Sequence, residues 1–382
     1  MPRAYAWGAP GAISELLGRV PTGAPEAELW LGTHPASPAM LSGGGLLVDI
    51  SGELPYLLKI LSAAAPLSLQ VHPDLDQARA GFAREQAAGI PIDAPDRNYR
   101  DQSAKPELLY ALTEFWALSG FRSIDESRAA LASLSTDSRI SPLLSRLVSA
   151  TSLGSTVAWL LEHGPGADDA VTVISERAAE IAGSSGVAAR LLAAHYPGDV
   201  GIAISQLLNT VVLQPGEALY LPAGNLHAYL YGTGIELMGA SDNVLRGGLT
   251  EKHMDVAELL SVLDARPLPV PLVLPTSLAP GVVEFQPPGS NLRLVVADAS
   301  ATRRGVGIAL GGPSIAIALG GPVLLDDELM PAGTAAYLAD LPRVHAVGAG
   351  LLMVASAAIP GRVDQPPTTP FGGGLVGPRG FA

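Results

Sequence analysis

Residues 66–74, Pro-Leu-Ser-Leu-Gln-Val-His-Pro-Asp, constrain the fold of this chain most strongly, because their side chains alternate in polarity. Successive side chains of a strand point to opposite faces, so the leucines and the valine share one face. Ser68, Gln70 and His72 share the other. A glutamine and a histidine two residues apart can both reach one metal ion. The stretch therefore predicts a strand with a buried apolar face and a polar face that can bind a ligand.

The composition restricts the classes of partner. The chain has 382 residues and a formal net charge of −13, so we expect neither nucleic acid nor a membrane as a partner. It has no cysteine, so any metal is held by nitrogen and oxygen ligands. No basic start followed by an apolar run is present, and no apolar run has the length of a membrane span. We therefore expect a cytoplasmic protein, and we expect a monomer.

Two neighbouring segments have clear periodicity. Residues 54–61 form an apolar run that predicts a buried strand, with Lys59 as its one charge. That lysine either reaches the strand edge or points into a polar cavity. Residues 75–88 have helical periodicity, and Asp74 is the expected N-cap. A strand, the polar stretch and a helix thus follow one another.

The character of the chain changes at residue 123. From there to residue 209 apolar residues recur every three or four positions, which predicts a helical insert. Its predicted helices cover residues 125–133, 141–149, 155–163, 169–182, 186–195 and 200–208. β character resumes at residue 210. A Pro-rich linker over 265–275 leads to weakly alternating segments, which predict a second small barrel without a metal, and then to a Pro/Gly-rich tail from residue 360.

Lysine is rare in this chain: the lysines are Lys59, Lys105 and Lys252, and the other basic residues are arginines. On a background that favours arginine, the surviving lysines mark positions that need a compact ammonium group. Lys105 and Glu107 share one face of a strand that starts at Pro106. They are either part of a site or a solvated pair at a sheet edge.

The segment after residue 217 has the pattern of a strand, a Pro-Ala-Gly corner and a second strand. By alternation, His227 and Tyr229 share a face of the second strand. Glu236 lies in an apolar run, where a buried carboxylate needs a partner or a metal. Asp242 and Arg246 lie in the irregular stretch that follows, which is either an active-site wall or a capped loop with a local Asp–Arg pair.

Two histidines, a carboxylate and an amide oxygen are the candidate metal ligands: Gln70, His72, Glu107 and His227. This set suits Zn²⁺ or another divalent first-row ion. Three other histidines are interpreted as parts of loops, surface or core: His34, His163 and His195. Spacing by itself leaves open whether the four candidates bind a metal.

Five motifs occur in an order that resembles type I mannose-6-phosphate isomerases. They are Ala-Glu-Leu-Trp-x-Gly-Thr-His-Pro, Leu-Ser-x-Gln-x-His-Pro-Asp, Lys-Pro-Glu, Pro-Ala-Gly-Asn-x-His-Ala-Tyr and Ser-Asp-Asn-Val-x-Arg-x-Gly-Leu-Thr-x-Lys. The resemblance implies a mainly β fold of cupin-type jelly-roll barrels with an all-α insert. The implied parts are a catalytic barrel at 1–122 and 210–264, the insert at 123–209, and a degenerate C-terminal barrel at 265–382.

The resemblance also implies the chemistry. It implies one zinc ion per chain on Gln70, His72, Glu107 and His227, and Arg246 as the active-site arginine. The implied reaction interconverts mannose 6-phosphate and fructose 6-phosphate through an enediolate, with a sugar phosphate as the small-molecule partner. Arg246 would steady the oxyanion or the phosphate. Our candidates for the base are Glu236, Asp242 and Lys105, and for substrate contacts Ser68, Lys252 and Tyr229.

One departure and two alternatives accompany this interpretation. Members of the family often have a histidine directly before the lysine of Lys-Pro-Glu, where this chain has Ala104. A mechanism that needs an imidazole at that position is therefore in doubt. A metal-dependent cupin oxygenase, with iron at a similar site, and a non-catalytic sugar-phosphate-binding protein are the alternative functions.

Overall fold

The structure is a computed structural model that describes residues 1–301, 303–339, 341–357 and 379–380. Within these residues the protein is mainly β-sheet, with helices concentrated in the middle of the chain. None of the described helices is both long and apolar enough to cross a membrane.

The first part of the chain supplies short helices and the strands that carry most site residues. In chain order these elements are β1 (Ala9–Pro10), α1 (Ala12–Leu16), β2 (Pro25–Glu26), β3 (Glu28–Gly32), α2 (Val48–Ser51), β4 (Tyr56–Ala63), β5 (Gln70–Val71), α3 (Leu75–Ala87), β6 (Glu107–Ala111) and β7 (Phe115–Phe121). The predicted buried strand is present as β4, and the predicted helix is present as α3. Asp74 caps α3, because its side chain accepts a hydrogen bond from the Gln77 backbone N–H.

The alternating stretch forms less strand than predicted, since only Gln70 and Val71 are hydrogen-bonded as β5. Its other backbone groups bond to separate neighbours: Leu67 N–H donates to the Tyr229 carbonyl and Leu69 N–H to the Gly248 carbonyl. The prolines at both ends of the stretch cannot donate to a ladder. The alternation itself holds, because Leu69 and Val71 are fully buried against the core.

The middle of the chain is helical, as predicted. Its helices are α4 (Ile124–Ala130), α5 (Ser141–Arg146), α6 (Leu153–Leu161), α7 (Ala167–Glu176), α8 (Gly183–His195) and α9 (Gly201–Ser205), joined by 3-10 turns. The last prediction was too long, because Leu208 already pairs with Phe121 as the start of a strand. His163 and His195 lie on the exposed surface of this region.

The chain then returns to the sheet. The next elements are β8 (Leu208–Leu213), β9 (Ala218–Leu221), β10 (His227–Gly239), β11 (Leu245–Arg246), α10 (Val256–Val262) and β12 (Leu272–Val273). Strands β3 to β12 form one 10-stranded sheet, in which β10 pairs with β4, β5, β6 and β7. The long strand β10, which carries His227, therefore pairs with β5 and β6, the strands that carry Gln70 and Glu107.

The C-terminal part forms two more sheets. Its strands are β13 (Thr276–Ala279), β14 (Val282–Phe285), β15 (Leu292–Asp298), β16 (Val306–Ala309), β17 (Ser314–Leu319), β18 (Val323–Leu325), β19 (Glu328–Met330), β20 (Ala335–Leu338), β21 (Arg343–Gly348), β22 (Leu351–Ala357) and β23 (Arg379–Gly380). They form a 7-stranded and a 4-stranded sheet. The predicted loose tail from residue 360 lies outside the described residues, except for β23.

One apolar cluster joins the N-terminal and C-terminal sheets. Leu58 and Leu237 from β4 and β10 belong to the same buried cluster as Phe285 and Met353 from β14 and β22. The helices pack around a separate cluster that also includes Leu69 and the start of β8. Burial of this apolar area on both sides fixes the central sheet in place.

Candidate metal centre

Three buried side chains from distant parts of the chain converge between β5, β6 and β10. The candidate ligand atoms of His72, Glu107 and His227 all lie within 4.8 Å of one another. His72 Nε2 is 3.2 Å from Glu107 Oε1, and His227 Nε2 is 3.4 Å from Glu107 Oε2. Each oxygen of the carboxylate thus has one imidazole beside it.

The outward ring nitrogens determine the tautomers of both histidines. His72 Nδ1 lies 2.8 Å from the Asn243 carbonyl oxygen, and His227 Nδ1 lies 2.9 Å from the Asn225 carbonyl oxygen. A carbonyl only accepts hydrogen bonds, so each Nδ1 carries a proton. Both Nε2 atoms therefore face the carboxylate. Such outer carbonyl partners are typical of metal-ligating histidines.

This arrangement fits a bound cation. His72 Nε2 is buried and has no hydrogen-bond partner, although a carboxylate oxygen is near it. Burial, together with the Lys105 ammonium, lowers the pKa of His72 to about 4, so the ring stays neutral at pH 7. The Nε2 lone pair of the neutral His72 ring faces a carboxylate oxygen, and the two repel without a positive charge between them. A divalent first-row ion satisfies all three groups.

Lys105 also contributes to this charge balance. Its Nζ lies 3.0 Å from Glu107 Oε1, and both side chains are buried, so the pair is not a solvated edge pair. Burial alone would raise the pKa of Glu107. The Lys105 ammonium and the imidazoles outweigh that effect and hold the pKa of Glu107 well below its usual value. Glu107 is therefore ionised and able to act as a ligand.

Gln70 lies beside this cluster, opposite His227 in the pairing of β5 with β10. Its amide nitrogen donates to Ser68 Oγ at 3.2 Å, which leaves the amide oxygen as the group that can bind a cation. Gln70, Ser68, Glu107 and His227 line one pocket. Gln70 stays a predicted fourth ligand on this geometry.

The opposite wall of the pocket carries a buried ion pair with a tyrosine. Lys59 Nζ lies 3.0 Å from Glu236 Oε2 and 3.6 Å from Glu28 Oε1. Tyr229 donates its hydroxyl to Glu236 Oε1 at 2.9 Å, and the same hydroxyl is 3.5 Å from Glu107 Oε2. Lys59 therefore faces a polar interior, which settles the question that its sequence position left open.

The charges of this wall follow from its burial and its partners. Burial disfavours the Lys59 ammonium, but Glu236 and Glu28 outweigh this effect and raise the pKa of Lys59 above its ordinary value. Burial raises the pKa of Glu236, and Lys59 opposes that rise. Burial and the two carboxylates raise the pKa of Tyr229 well above its usual value, so Tyr229 stays a neutral donor.

Asp242 lies apart from the residues that line the pocket. Its carboxylate is 43% exposed and lies 3.4 Å from His34 Nε2. His34 is buried in a loop, as interpreted from the sequence, and its Nδ1 accepts a hydrogen bond from the Ala36 backbone N–H at 3.3 Å. Asp242 and Arg246, which the sequence allowed as a local pair, form no ion pair with each other among the described residues.

Three cations, Arg100, Arg246 and Lys252, are near enough for their charges to interact. Arg246, on β11, is the register partner of Gln70. Burial lowers the pKa of Arg246, and nearby Arg100 lowers it further. Burial also lowers the pKa of Lys252, and the charges of Arg246 and Arg100 add to this effect. No carboxylate of the described chain lies within ion-pair distance of these three side chains. A cluster of unpaired cations in an acidic protein is a site for an anion.

Sequence reasoning missed several residues of this site. Glu28, which lines the pocket, belongs to a quoted motif and to a buried strand, so its charge in an apolar run was a usable signal. Arg100 had no signal beyond its type. Asn225 and Asn243 stand in quoted motifs, but they face the histidines through main-chain carbonyls, whose direction leaves no trace in residue identity.

Comparison with known proteins identifies relatives of this chain. Residues 44–124 match the family described as phosphomannose isomerase type I, catalytic domain. Mannose-6-phosphate isomerase of Salmonella typhimurium is 36% identical over 379 residues, which cover 91% of this chain and 96% of that protein. The Escherichia coli protein of the same name is 39% identical over 279 residues, or 67% of this chain and 71% of that protein.

Solved structures agree with the sequence comparison. A crystal structure of mannose 6-phosphate isomerase in a zinc-bound holo form has a TM-score of 0.84 and 34% identity; the match covers 94% of this chain and 98% of that chain. A mutant of the Salmonella typhimurium phosphomannose isomerase gives a TM-score of 0.85, with the same identity and coverage. The likeness therefore extends over nearly the whole fold.

Proposed function

We propose that this chain, which belongs to the type I mannose-6-phosphate isomerase family, interconverts mannose 6-phosphate and fructose 6-phosphate with one bound zinc ion. The observation that carries the proposal is the convergence of two buried imidazoles on the two oxygens of one buried carboxylate. The pocket beside it also holds a buried carboxylate–ammonium pair, as an acid–base reaction requires.

His72, Glu107 and His227 would hold the zinc, with Gln70 as the proposed fourth ligand. When bound, zinc acts as a Lewis acid that polarises the substrate oxygens and holds them in register. The protein contributes the orientation of its ligands. The carbonyls of Asn243 and Asn225 fix both imidazoles with Nε2 toward the centre.

The isomerisation needs a base that takes the proton from the carbon next to the carbonyl and returns it to the adjacent carbon. Glu236 is the best candidate, because it is buried in the pocket and burial raises its pKa toward working pH. Lys59 and Tyr229 hold one carboxylate oxygen each, so the group is fixed in place. Lys105 lines the pocket as well and is the second candidate, whereas Asp242 is outside the lining.

Ala104, at the position where the family often has a histidine, is half-buried just before β6. No imidazole is available there for proton transfer. The reaction in this chain therefore depends on the carboxylate and ammonium groups of the pocket, and we assign the proton transfer to Glu236 with Lys59 as its counter-ion.

The substrate phosphate would bind to the cluster of three cations. Arg246 lies close enough to Lys252 to lower the pKa of the lysine, and Arg100 adds a third positive charge. A phosphate dianion relieves this repulsion, which is the reason we place it there. Ser68 lines the pocket near Gln70 and is proposed as a hydroxyl donor, and Tyr229 as a contact of the sugar.

We also propose the finer organisation that the family implies. Residues 1–122 and 210–264 would form a catalytic cupin-type jelly-roll barrel, residues 123–209 an all-α insert, and residues 265–382 a degenerate barrel. The central helices and the separate C-terminal sheets support this division. The boundary at residue 265 and the linker predicted over 265–275 need correction, because β12 pairs with β9 in the sheet of the first part. A cytoplasmic monomer that binds neither nucleic acid nor a membrane remains our expectation.

The test is conversion of mannose 6-phosphate to fructose 6-phosphate by the purified protein, before and after chelation and with zinc added back. Loss of turnover on chelation and recovery with zinc is the expected result. Absence of turnover in the folded, zinc-loaded protein would reject the isomerase and favour a binding protein. Iron content together with oxygen uptake would instead indicate an oxygenase, because two histidines and a carboxylate also suit iron.

A further inference from the structure

Asn243 uses its main chain and its side chain in two different directions. It is fully buried between β10 and β11, and its carbonyl oxygen accepts the Nδ1 hydrogen of His72 at 2.8 Å. Its side-chain Oδ1 accepts from the backbone N–H groups of Arg100 and Asp101 at 2.8 and 3.2 Å. Its Nδ2 donates to the carbonyls of Asp101 and Ser103 at 2.9 and 3.0 Å. One residue thus contacts a metal-ligand candidate and a separate loop.

That loop leads directly to the next ligand. Residues 100–103 precede Lys105 and Glu107 at the start of β6. A shift of the loop would therefore move the carboxylate that both imidazoles face. Asn243 bonds directly to His72 and to Ser103, which is four positions before Glu107, so it joins the histidine to the segment that carries the carboxylate.

The four hydrogen bonds of the Asn243 side chain require an amide group. A single side chain has to accept from two N–H groups and donate to two carbonyls, and only an amide offers both functions in this size. Asp101 Oδ1 also lies 3.2 Å from Asn243 Nδ2. An aspartate at this position would lose the donor and face the Asp101 carboxylate with a like charge.

We propose that Asn243 is a positioning residue of the metal centre. Its carbonyl orients His72, and its side-chain amide anchors the loop that leads to Glu107. The choice of zinc as the ion rests on the proposed function. The role of Asn243 itself is measured by metal affinity, which does not require turnover.

The experiment compares the zinc affinity of four full-length proteins by competition with a chromophoric chelator. They are the wild type, Asn243→Ala, Asn243→Asp and the control Asn209→Ala. The control also loses amide hydrogen bonds to two carbonyls, Ser119 at 3.0 Å and Gly120 at 3.2 Å, away from the 100–103 loop. Asn243→Ala keeps the carbonyl that faces His72 and removes the amide that anchors the 100–103 loop. We expect zinc binding to weaken by up to the roughly 10–100-fold that is typical of a lost outer partner of a metal ligand.

We expect that loss in Asn243→Ala, an equal or larger loss in Asn243→Asp, and wild-type affinity in the control. The melting temperature is measured for all four proteins, and the visible spectrum of the cobalt-loaded proteins reports changed ligand geometry in the Asn243 variants. Wild-type affinity and spectrum with only a lower melting temperature would overturn the proposal. A wild type that binds zinc without turnover would reject only the proposed function, whereas one without zinc affinity would reject both.

Discussion

Lys59 on β4 and Glu236 on β10 are direct cross-strand partners, and their charged atoms meet at 3.0 Å in the interior. The pair is buried beside the metal-ligand candidates, and the Trp30 ring lies 5.0 Å from the ammonium. A charge pair at this depth is expensive to desolvate and is therefore better explained by function than by stability. Both partners can be tested separately.

Replacing Lys59 with Met would leave Glu236 without its counter-ion. Removing one partner of a buried pair typically costs about 3–5 kcal/mol, so we expect a stability loss of at least about 3 kcal/mol in urea unfolding. The double variant Lys59→Met with Glu236→Gln should recover most of that stability without recovering activity. Equal stability of the single and double variants would contradict the coupling of the pair.

Replacing Glu236 with Gln would remove the proposed base while keeping the Tyr229 hydrogen bond. General-base catalysis typically contributes about 10²–10⁴-fold, and we expect a loss of kcat in that range with zinc still bound. Steady-state kinetics and metal analysis of the same preparation measure both quantities. Lys105→Met is the comparison: a larger loss of kcat there, with zinc still bound, would transfer the role of base to Lys105.

Replacing Glu107 with Gln would remove the negative charge between the two imidazoles. We expect zinc affinity to fall by more than the roughly 10–100-fold typical of an outer partner, with activity lost in parallel. Metal content after dialysis against a weak chelator measures the change. His163→Ala, at an exposed imidazole outside the site, is the matched control and should keep its zinc.

Replacing Arg100 with Met would remove one of the three cations proposed to bind phosphate. A hydrogen bond to a charged group contributes about 1.5–3 kcal/mol, which corresponds to an increase of about 10–100-fold in KM for mannose 6-phosphate. The effect should shrink as ionic strength rises. Binding of unphosphorylated mannose should not change, and an equal loss for both sugars would show that Arg100 does not contact the phosphate.

His34 should make the protein sensitive to acid. Burial lowers the pKa of His34 from 6.5, and Lys59 lowers it further although Asp242 opposes this. Below pH 6.5 the unfolded chain therefore binds a proton that the folded protein does not, so stability falls as the pH decreases. In urea unfolding, His34→Gln should lose less stability than the wild type between about pH 7.5 and pH 5.5. Identical pH profiles would exclude this role.

Much of the local structure could be predicted from residue patterns. The apolar run at β4, the capped helix α3 and the helices of the central region follow from side-chain periods of two and 3.6 residues, which act over short distances. Family membership was identified from the order of motifs and is supported by the comparisons. Boundaries were less predictable, because Leu208 is in a strand only through its pairing with Phe121.

The candidate site was predictable in residue type and only partly in arrangement. Gln70 and His72 could be assigned to one face from alternation, and Glu107 and His227 from motif likeness. Whether Lys59 is solvated or buried depends on strand register across more than 100 residues of sequence, because its partner is Glu236. Nothing local to Lys59 encodes that pairing. Lys105 has its partner Glu107 two residues away, and only the burial of that pair was left open by the sequence.

Side-chain chemistry at short spacing was enough to predict most of the elements, the donor types and the family. The tertiary structure alone decided which donors converge, since convergence depends on the pairing of β10 with β4, β5, β6 and β7. It also decided the orientation of His72, which is set by the Asn243 carbonyl. Every residue carries a carbonyl, so only folding determines which one faces a ligand.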